Sequence, residues 1–321
     1  MFKNLQPALK WVLSLIAFPL FSTDPTPPPN VLIIFPDQMR SDVMGCMGNQ
    51  EIKTPHIDQL AKEGVLLLKT YANNPVCCPA RAILLTGTYN HINGMTANDL
   101  RLREDHITIA ELMQQKGYRT GFIGKWHLDG ALREPGFVPP GPRRQGFEYW
   151  AAYECHHKHF EPYYFRDTPE KLVFNEFEPK VSCDFALEFL NTQPKDKPFF
   201  MILQMGPPHD PYGAPKAYMD QYNPEHITPR PNWQPRTEPL PKTKPSLQSI
   251  VNGNYNPPIP SGTKNQIAAY YAAVTAIDDQ VGRIMAELKR LGLDDNTLIL
   301  FTSDHGDMLS SHGMHRKRKP H

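Results

Sequence analysis

A cysteine two residues ahead of a proline, with an arginine one helical turn further on, forms the run Cys77-Cys78-Pro79-Ala80-Arg81. The apolar stretch Ala82-Ile83-Leu84-Leu85 follows, and Thr86-Gly87 closes it. Proline suits the first turn of a helix, where its missing N–H would go unpaired anyway. A Cys77 thiol just ahead of that helix would meet unpaired N–H groups and the positive end of the helix dipole, both of which favour anions. Arg81 can reach back to the same place. The chemistry is that of a sulfur nucleophile beside a cradle for a tetrahedral oxyanion.

Other chemistry-bearing residues come in short groups. Asp37-Gln38 and Asp304-His305 offer carboxylate, amide and imidazole ligands. A hard divalent cation such as Ca2+ takes carboxylate and amide oxygens, and a histidine also admits Mn2+ or another divalent ion. Such a metal would act as Lewis acid and template. Lys125 and His127 stand two apart, so in an extended segment both would point into one pocket. His209 follows Pro207-Pro208, whose fixed φ makes a stiff turn. Lys317 lies in a run from His312 to Pro320 that, taken alone, reads as a basic flexible tail.

The elements that must position these groups alternate. Apolar runs at Asn30–Phe35, Arg119–Ile123, Pro198–Met205 and Thr297–Thr302 read as strands buried on both faces. Each ends in polar residues: Asp37-Gln38, Lys125-Trp126-His127, His209-Asp210 and Asp304-His305. Helical patterns fall between them, at Thr54–Glu63 with a threonine cap, Ile107–Lys116, Cys183–Asn191 and Asn265–Leu291. This alternation predicts an α/β fold, a mostly parallel central sheet flanked by helices. Ligands of such sheets bind beyond the carboxyl ends of the strands, where all four groups would stand.

The 321-residue chain is long enough for one large α/β domain. Lys+Arg 34 against Asp+Glu 33 leaves no global field that would argue for nucleic acid. The five cysteines, Cys46, Cys77, Cys78, Cys155 and Cys183, show neither a disulfide framework nor zinc-ligand spacing. Residues 1–23 begin basic and continue through the apolar run from Trp11 to Phe21, which resembles a secretory signal too short for a stable membrane span. The expectation is a secreted or periplasmic protein. Residues 24–29 read as a stiff proline-rich linker. A domain over 30–321 follows, with a proline-rich insertion at about 207–260.

Together these motifs resemble the type I sulfatases of the alkaline phosphatase-like superfamily. That family carries Cys-x-Pro-Ser/Ala-Arg-x-x-x-Leu-Thr-Gly, Gly-Lys-Trp-His, a Pro-His segment, Ser-Asp-His/Asn-Gly and His-Gly-x-x-x-Lys, and all occur here in family order. The resemblance implies that Cys77 is oxidised by a formylglycine-generating enzyme. It puts the metal ligands at Asp37, Gln38, Asp304, His305 and modified Cys77. It puts sulfate binding and proton transfer at Arg81, Lys125, His127, His209 and Lys317. One hydroxyl of hydrated formylglycine would attack sulfur and displace the alcohol; loss of the proton from the second would re-form the aldehyde and release sulfate.

Two departures qualify the resemblance. Gln38 stands where many members have a second aspartate, as in the phosphonate monoester hydrolases of the same superfamily, so phosphonate or phosphodiester hydrolysis is an alternative. Members also continue past His-Gly-x-x-x-Lys into further sheet and a C-terminal subdomain. The chain is therefore expected to be a fragment lacking that subdomain, with an inactive product as another alternative. For the substrate, a sulfated small molecule or glycan is implied. Aromatics and histidines at Tyr149–Tyr164, with Tyr212, Tyr218 and Trp233, are candidates for stacking on sugar rings or for covering the sheet, and Asn98 for a substrate contact by analogy.

Overall fold

A computed structural model describes residues 27–130, 136–235 and 262–317. The expected signal segment 1–23, the start of the linker, and residues 236–261 of the insertion lie outside the described residues. In chain order the elements are β1 (Asn30–Ile34), α1 (Pro55–Glu63), α2 (Cys77–Thr86), α3 (Asn90–Asn93), α4 (Ile109–Gln115), β2 (Arg119–Lys125), β3 (Tyr149–Tyr153), β4 (Tyr163–Tyr164), β5 (Leu172–Val173), α5 (Glu178–Asn191), β6 (Phe199–Gln204), α6 (Lys216–Met219), α7 (Lys264–Arg290) and β7 (Thr297–Phe301).

Five strands form one sheet in the order β3-β2-β6-β1-β7, and every pairing is parallel. The fold is thus the expected α/β type. Val31 lies opposite both Phe200 and Leu298, and Gly121 opposite both Tyr149 and Met201. This register brings the carboxyl ends of β1, β2, β6 and β7 to one edge. The core is two-sided. One face of the sheet packs against α5 and α7 through residues such as Leu32, Ile34, Phe189, Met201 and Ile277. The other packs against α2 and α4 through Ile33, Phe35, Ala82, Leu85 and Ala110. Strands buried on both faces cannot alternate polar and apolar residues, which is why β1 and β6 read as continuous apolar runs.

The fifth strand, β3, corrects the sequence reading. The Tyr149–Tyr164 stretch, a candidate for stacking on sugar rings or covering the sheet, begins instead as a buried strand of the sheet itself. Trp150 packs on Phe122 and Trp126, with ring centroids 5.5 and 5.2 Å apart. Aromatic residues suit a pleated, buried surface as well as they suit a lid. Helix starts also differ. α5 begins at Glu178 rather than at Cys183, with Pro179 in its first turn. Thr54 precedes α1 but does not cap it with its side chain. That role falls to Asp278 of α7, which accepts from the N–H groups of His56 and Ile57 at 3.2 and 2.7 Å. α4 has a capping box from Thr108 and Glu111.

Among the described residues, no helix is long and apolar enough to cross a membrane. None of the five cysteines forms a disulfide.

Candidate active site

Cys77 is the first residue of α2, not the residue before it; Val76 is the N-cap. Asn98 Oδ1 accepts from the N–H of Cys78 at 3.1 Å, so Asn98 anchors the start of the helix. Cys78 is fully buried, and its sulfur accepts from Asp99 N at 3.3 Å.

Around Cys77 Sγ stand Lys317 Nζ at 2.8 Å, His305 Nε2 at 3.5 Å, Asp37 Oδ1 at 3.8 Å and Lys125 Nζ at 3.9 Å. Arg81 donates to Asp37 Oδ2 at 3.1 Å, to Asp304 Oδ2 at 3.2 Å and to the carbonyl of Lys125 at 2.7 Å. Lys125 Nζ also donates to Asp37 Oδ2 at 2.5 Å. Two buried carboxylates are thus held between buried cations, the condition under which such charges are tolerated inside a protein. Burial pushes the Asp37 carboxyl up, but Lys125, His209, Lys317 and Arg81 hold it well below the usual carboxylate range. Burial and Asp37 push the Cys77 thiol up, Lys125 and His305 draw it down, and the balance lies below the ordinary thiol value.

Local backbone geometry builds this cluster. Gln38 has φ 65° and His127 φ 57°, both in the left-handed region. The N–H groups of Gln38 and His305 share Asp304 Oδ1 at 2.8 and 2.9 Å, which ties the ends of β1 and β7 together. Ser303 Oγ donates to the carbonyls of Pro36 and His305 and accepts from Met39 N. Gln204 links three strand ends, accepting from Lys125 N and donating to the carbonyls of Phe35 and Met205. Gly124 is required here: at φ 98° a Cβ would stand 1.6 Å from the Gln204 carbonyl oxygen.

The donor set fits a divalent cation. Single ligand atoms of Asp37, Cys77, Asp304 and His305, all buried, lie within 4.8 Å of one another and could hold a metal ion. Gln38, one residue from Asp37, carries an amide oxygen that could add to this set. Its Nε2 donates to Asp307 Oδ2 at 2.5 Å, whereas its buried Oε1 has no hydrogen-bond partner. Carboxylate and amide oxygens with one imidazole suit a hard or borderline cation.

A family model described as Sulfatase matches residues 29–321. The chain belongs to the sulfatase family. An ulvan-active sulfatase from Formosa agariphila is 37% identical over 286 residues, covering 88% of this chain and 51% of the relative. An N-acetylglucosamine-6-O-sulfatase from Bacteroides thetaiotaomicron is 29% identical, covering 90% of this chain and 60% of the relative. A solved structure in complex with its substrate, D-glucosamine-2-N,6-O-disulfate, superposes with a TM-score of 0.73 at 26% identity, covering 90% of this chain and 67% of that one. The chain spans about half the length of the first of these curated relatives, and three fifths of the second.

In this sulfatase-family chain, β2 ends at Lys125 and His127 lies beyond it with a left-handed φ, so the alternation of an extended strand does not set the direction of His127. His127 Nε2 pairs with Asp99 Oδ1 at 3.1 Å. His209 is buried, and its Nδ1 bonds to the Asp210 carbonyl at 2.7 Å. Burial, with Lys125 and Lys317 nearby, holds its imidazole well below the usual range, although Asp37 acts in the opposite direction. Lys317 is not part of a loose tail. The loop before it folds back through Met308 N to Arg316 O at 2.7 Å and Ser310 N to Met314 O at 2.9 Å. Arg316 then pairs with Asp210 at 2.7 Å.

Most of the residues considered for stacking on sugar rings are buried: Tyr149, Trp150, Tyr153, His156, His159, Tyr163, Tyr164 and Tyr212. Tyr212 donates to Asp307 at 2.9 Å. Sequence reasoning missed Asp99, Asp307, Gln204 and Ser303. Ser303 and Asp307 flank the Asp304-His305 pair in Ser-Asp-His-Gly-Asp, a signal that was available; Asp99 and Gln204 had none.

Proposed function

We propose that the chain carries the catalytic machinery of a hydrolase of sulfate esters, acting on a sulfated carbohydrate. Residue 77 is the nucleophile once a formylglycine-generating enzyme has converted Cys77 to formylglycine, and the Sγ position stands in for the reacting oxygen of that mature residue. Asp37, Gln38, Asp304 and His305 hold a divalent cation, Ca2+ by preference. The observation that carries the reading is the convergence of two lysines, a histidine and a carboxylate on Cys77 Sγ, with Arg81 bridging both carboxylates. The names of the relatives and the bound disulfated glucosamine support the carbohydrate. Export directed by residues 1–23 belongs to the same proposal.

A bound divalent cation would supply Lewis-acid polarisation and offset charge on the sulfate oxygens. Hydrated formylglycine would supply a hydroxyl nucleophile with a second hydroxyl on the same carbon, so sulfate can be expelled without water attacking sulfur. This chain's residues do the rest. Lys125 and Arg81 hold negative charge on the sulfonyl oxygens as it develops. His127 takes the proton of the attacking hydroxyl, and Asp99, paired with it, orients the ring and stabilises the imidazolium. Lys317 and His209 serve the leaving oxygen as proton donors; the anionic substrate raises the proton affinity of His209 when it binds.

Gln38 favours a second reading, because a neutral amide makes the site one charge less negative than the aspartate pair and suits phosphonate monoesters. The protein matured with a formylglycine-generating enzyme separates the two. Expected outcomes are an aldehyde in place of the Cys77 thiol by mass spectrometry, faster turnover of 4-nitrophenyl sulfate than of an aryl phosphonate monoester, and loss of turnover with EDTA that Ca2+ restores. A retained thiol at position 77, or faster phosphonate turnover, would sink the sulfatase reading.

A further inference from the structure

We propose that His157 is a further active-site residue, a positioning residue that fixes the ring plane of His209 and walls the leaving-group end of the site on its solvent side. The proposal takes the role of His209 from the functional reading above. The two imidazoles are stacked face to face, with centroids 4.3 Å apart and planes 9° from parallel. His209 is 8% exposed, whereas His157 is exposed, so His157 is the outer ring of the pair.

The stack supplies what hydrogen bonding alone does not. The Nδ1 bond to the Asp210 carbonyl fixes one in-plane direction of His209 but allows the ring to swing about that axis. A parallel ring against its face removes the swing and leaves Nε2 as the edge offered to a substrate oxygen. Orientation of a proton-transfer group within hydrogen-bond reach is a large part of its effect.

The chain braces His157 for this. His156, one residue back, stacks on Tyr153 of β3 at 3.8 Å and bonds the Tyr163 carbonyl at 3.0 Å. Its Nδ1 accepts from Lys158 N at 3.3 Å. The loop is thereby pinned on both sides of His157. Lys125, Asp37 and Lys317 act electrostatically on His157, which places it near the same charges that surround Cys77.

The test compares His157→Ala with His157→Phe, which keeps a flat ring. In matured enzyme acting on 4-nitrophenyl sulfate, His157→Ala should lower kcat about tenfold or more with KM within about threefold, and His157→Phe should stay within about threefold of the parent. An unaltered kcat in His157→Ala, or His157→Phe as slow as His157→Ala, overturns the proposal. A second readout needs no turnover: the His209 Cε1–H resonance of histidine-labelled protein should move when the stacked ring is removed and stay in place with phenylalanine. A resonance indifferent to His157→Ala also overturns it. Wild-type protein that fails to hydrolyse the aryl sulfate counts against the sulfatase reading instead, and the resonance then decides the stack by itself.

Discussion

At position 154 a carboxyl lies buried at the end of β3, one oxygen accepting from the N–H groups of Asp129 and Leu128 at 2.8 and 3.3 Å. The other oxygen is buried without a hydrogen-bond partner. Burial, then the charge of Asp129, pushes Glu154 up to about 8 against those two N–H bonds. The sign follows from linkage. A carboxyl whose folded-state pKa is raised favours folding while protonated, so its contribution is complete below about pH 4.5 and is lost as pH rises through about 8. Thermal melts at pH 5 and pH 9 should show wild-type protein losing more stability than Glu154→Gln, a difference of a few kcal/mol. Equal slopes would mean that the carboxyl is not protonated at neutrality. Nothing in the sequence marked Glu154, because a lone glutamate after an aromatic run carries no local pattern. Asp37, Arg81, Lys125, Asp304 and His305 were legible because their neighbours form motifs.

Helix α5 shows how an element holds the segment after β6 that carries His209. Glu178, the first residue of α5, accepts from Gly206 N at 3.0 Å through one oxygen. Its other oxygen accepts from Tyr153, Tyr164 and Ser182 at 3.1, 3.1 and 2.8 Å. Burial raises its carboxyl to about 6 even against these four donors. Glu178→Ala removes the shared acceptor of three hydroxyls and a backbone N–H, leaving Tyr164 and Ser182 their mutual bond at 2.8 Å, and should cost about 3–5 kcal/mol in urea unfolding. Glu178→Gln, which keeps an acceptor, should cost less. A loss under about 1 kcal/mol in the alanine variant would show that the segment leading to His209 is held by packing alone. The sequence reading began this helix five residues late. The apolar spacing starts at Cys183, whereas the helix is nucleated by Pro179 and by tertiary bonds to Glu178.

On the scale of the whole molecule, among the described residues β3 and β7 are the outer strands of the sheet, β3 covered by aromatic packing and β7 carrying exposed apolar side chains. Ile299 and Phe301 pack on the larger core, while Leu298 and Leu300, on the alternate face, are 60% and 43% exposed. Val65, Leu67, Leu68 and Tyr71, between α1 and α2, are exposed as well. An outer strand that exposes apolar side chains is a template for association. Leu298→Lys with Leu300→Lys should lower concentration-dependent light scattering while leaving the melting temperature within a few degrees. Unaltered scattering would place the sticky surface elsewhere.

The sequence by itself determined four of the five strands of the sheet, the main helices between them and the order of the motifs, because burial on both faces and the helical repeat are written in local residue patterns. It also placed the Asp37-Gln38 and Asp304-His305 pairs at strand ends, where parallel sheets bind their ligands. Only the tertiary structure decided which atoms meet. Lys317 reaches Cys77 across 240 positions of chain. His127 finds Asp99, 28 positions back in the chain, and His157 settles on His209. These encounters depend on the strand order β3-β2-β6-β1-β7 and on left-handed turns at Gln38 and His127. Both are fixed by packing between segments far apart in the chain, which no local repeat records.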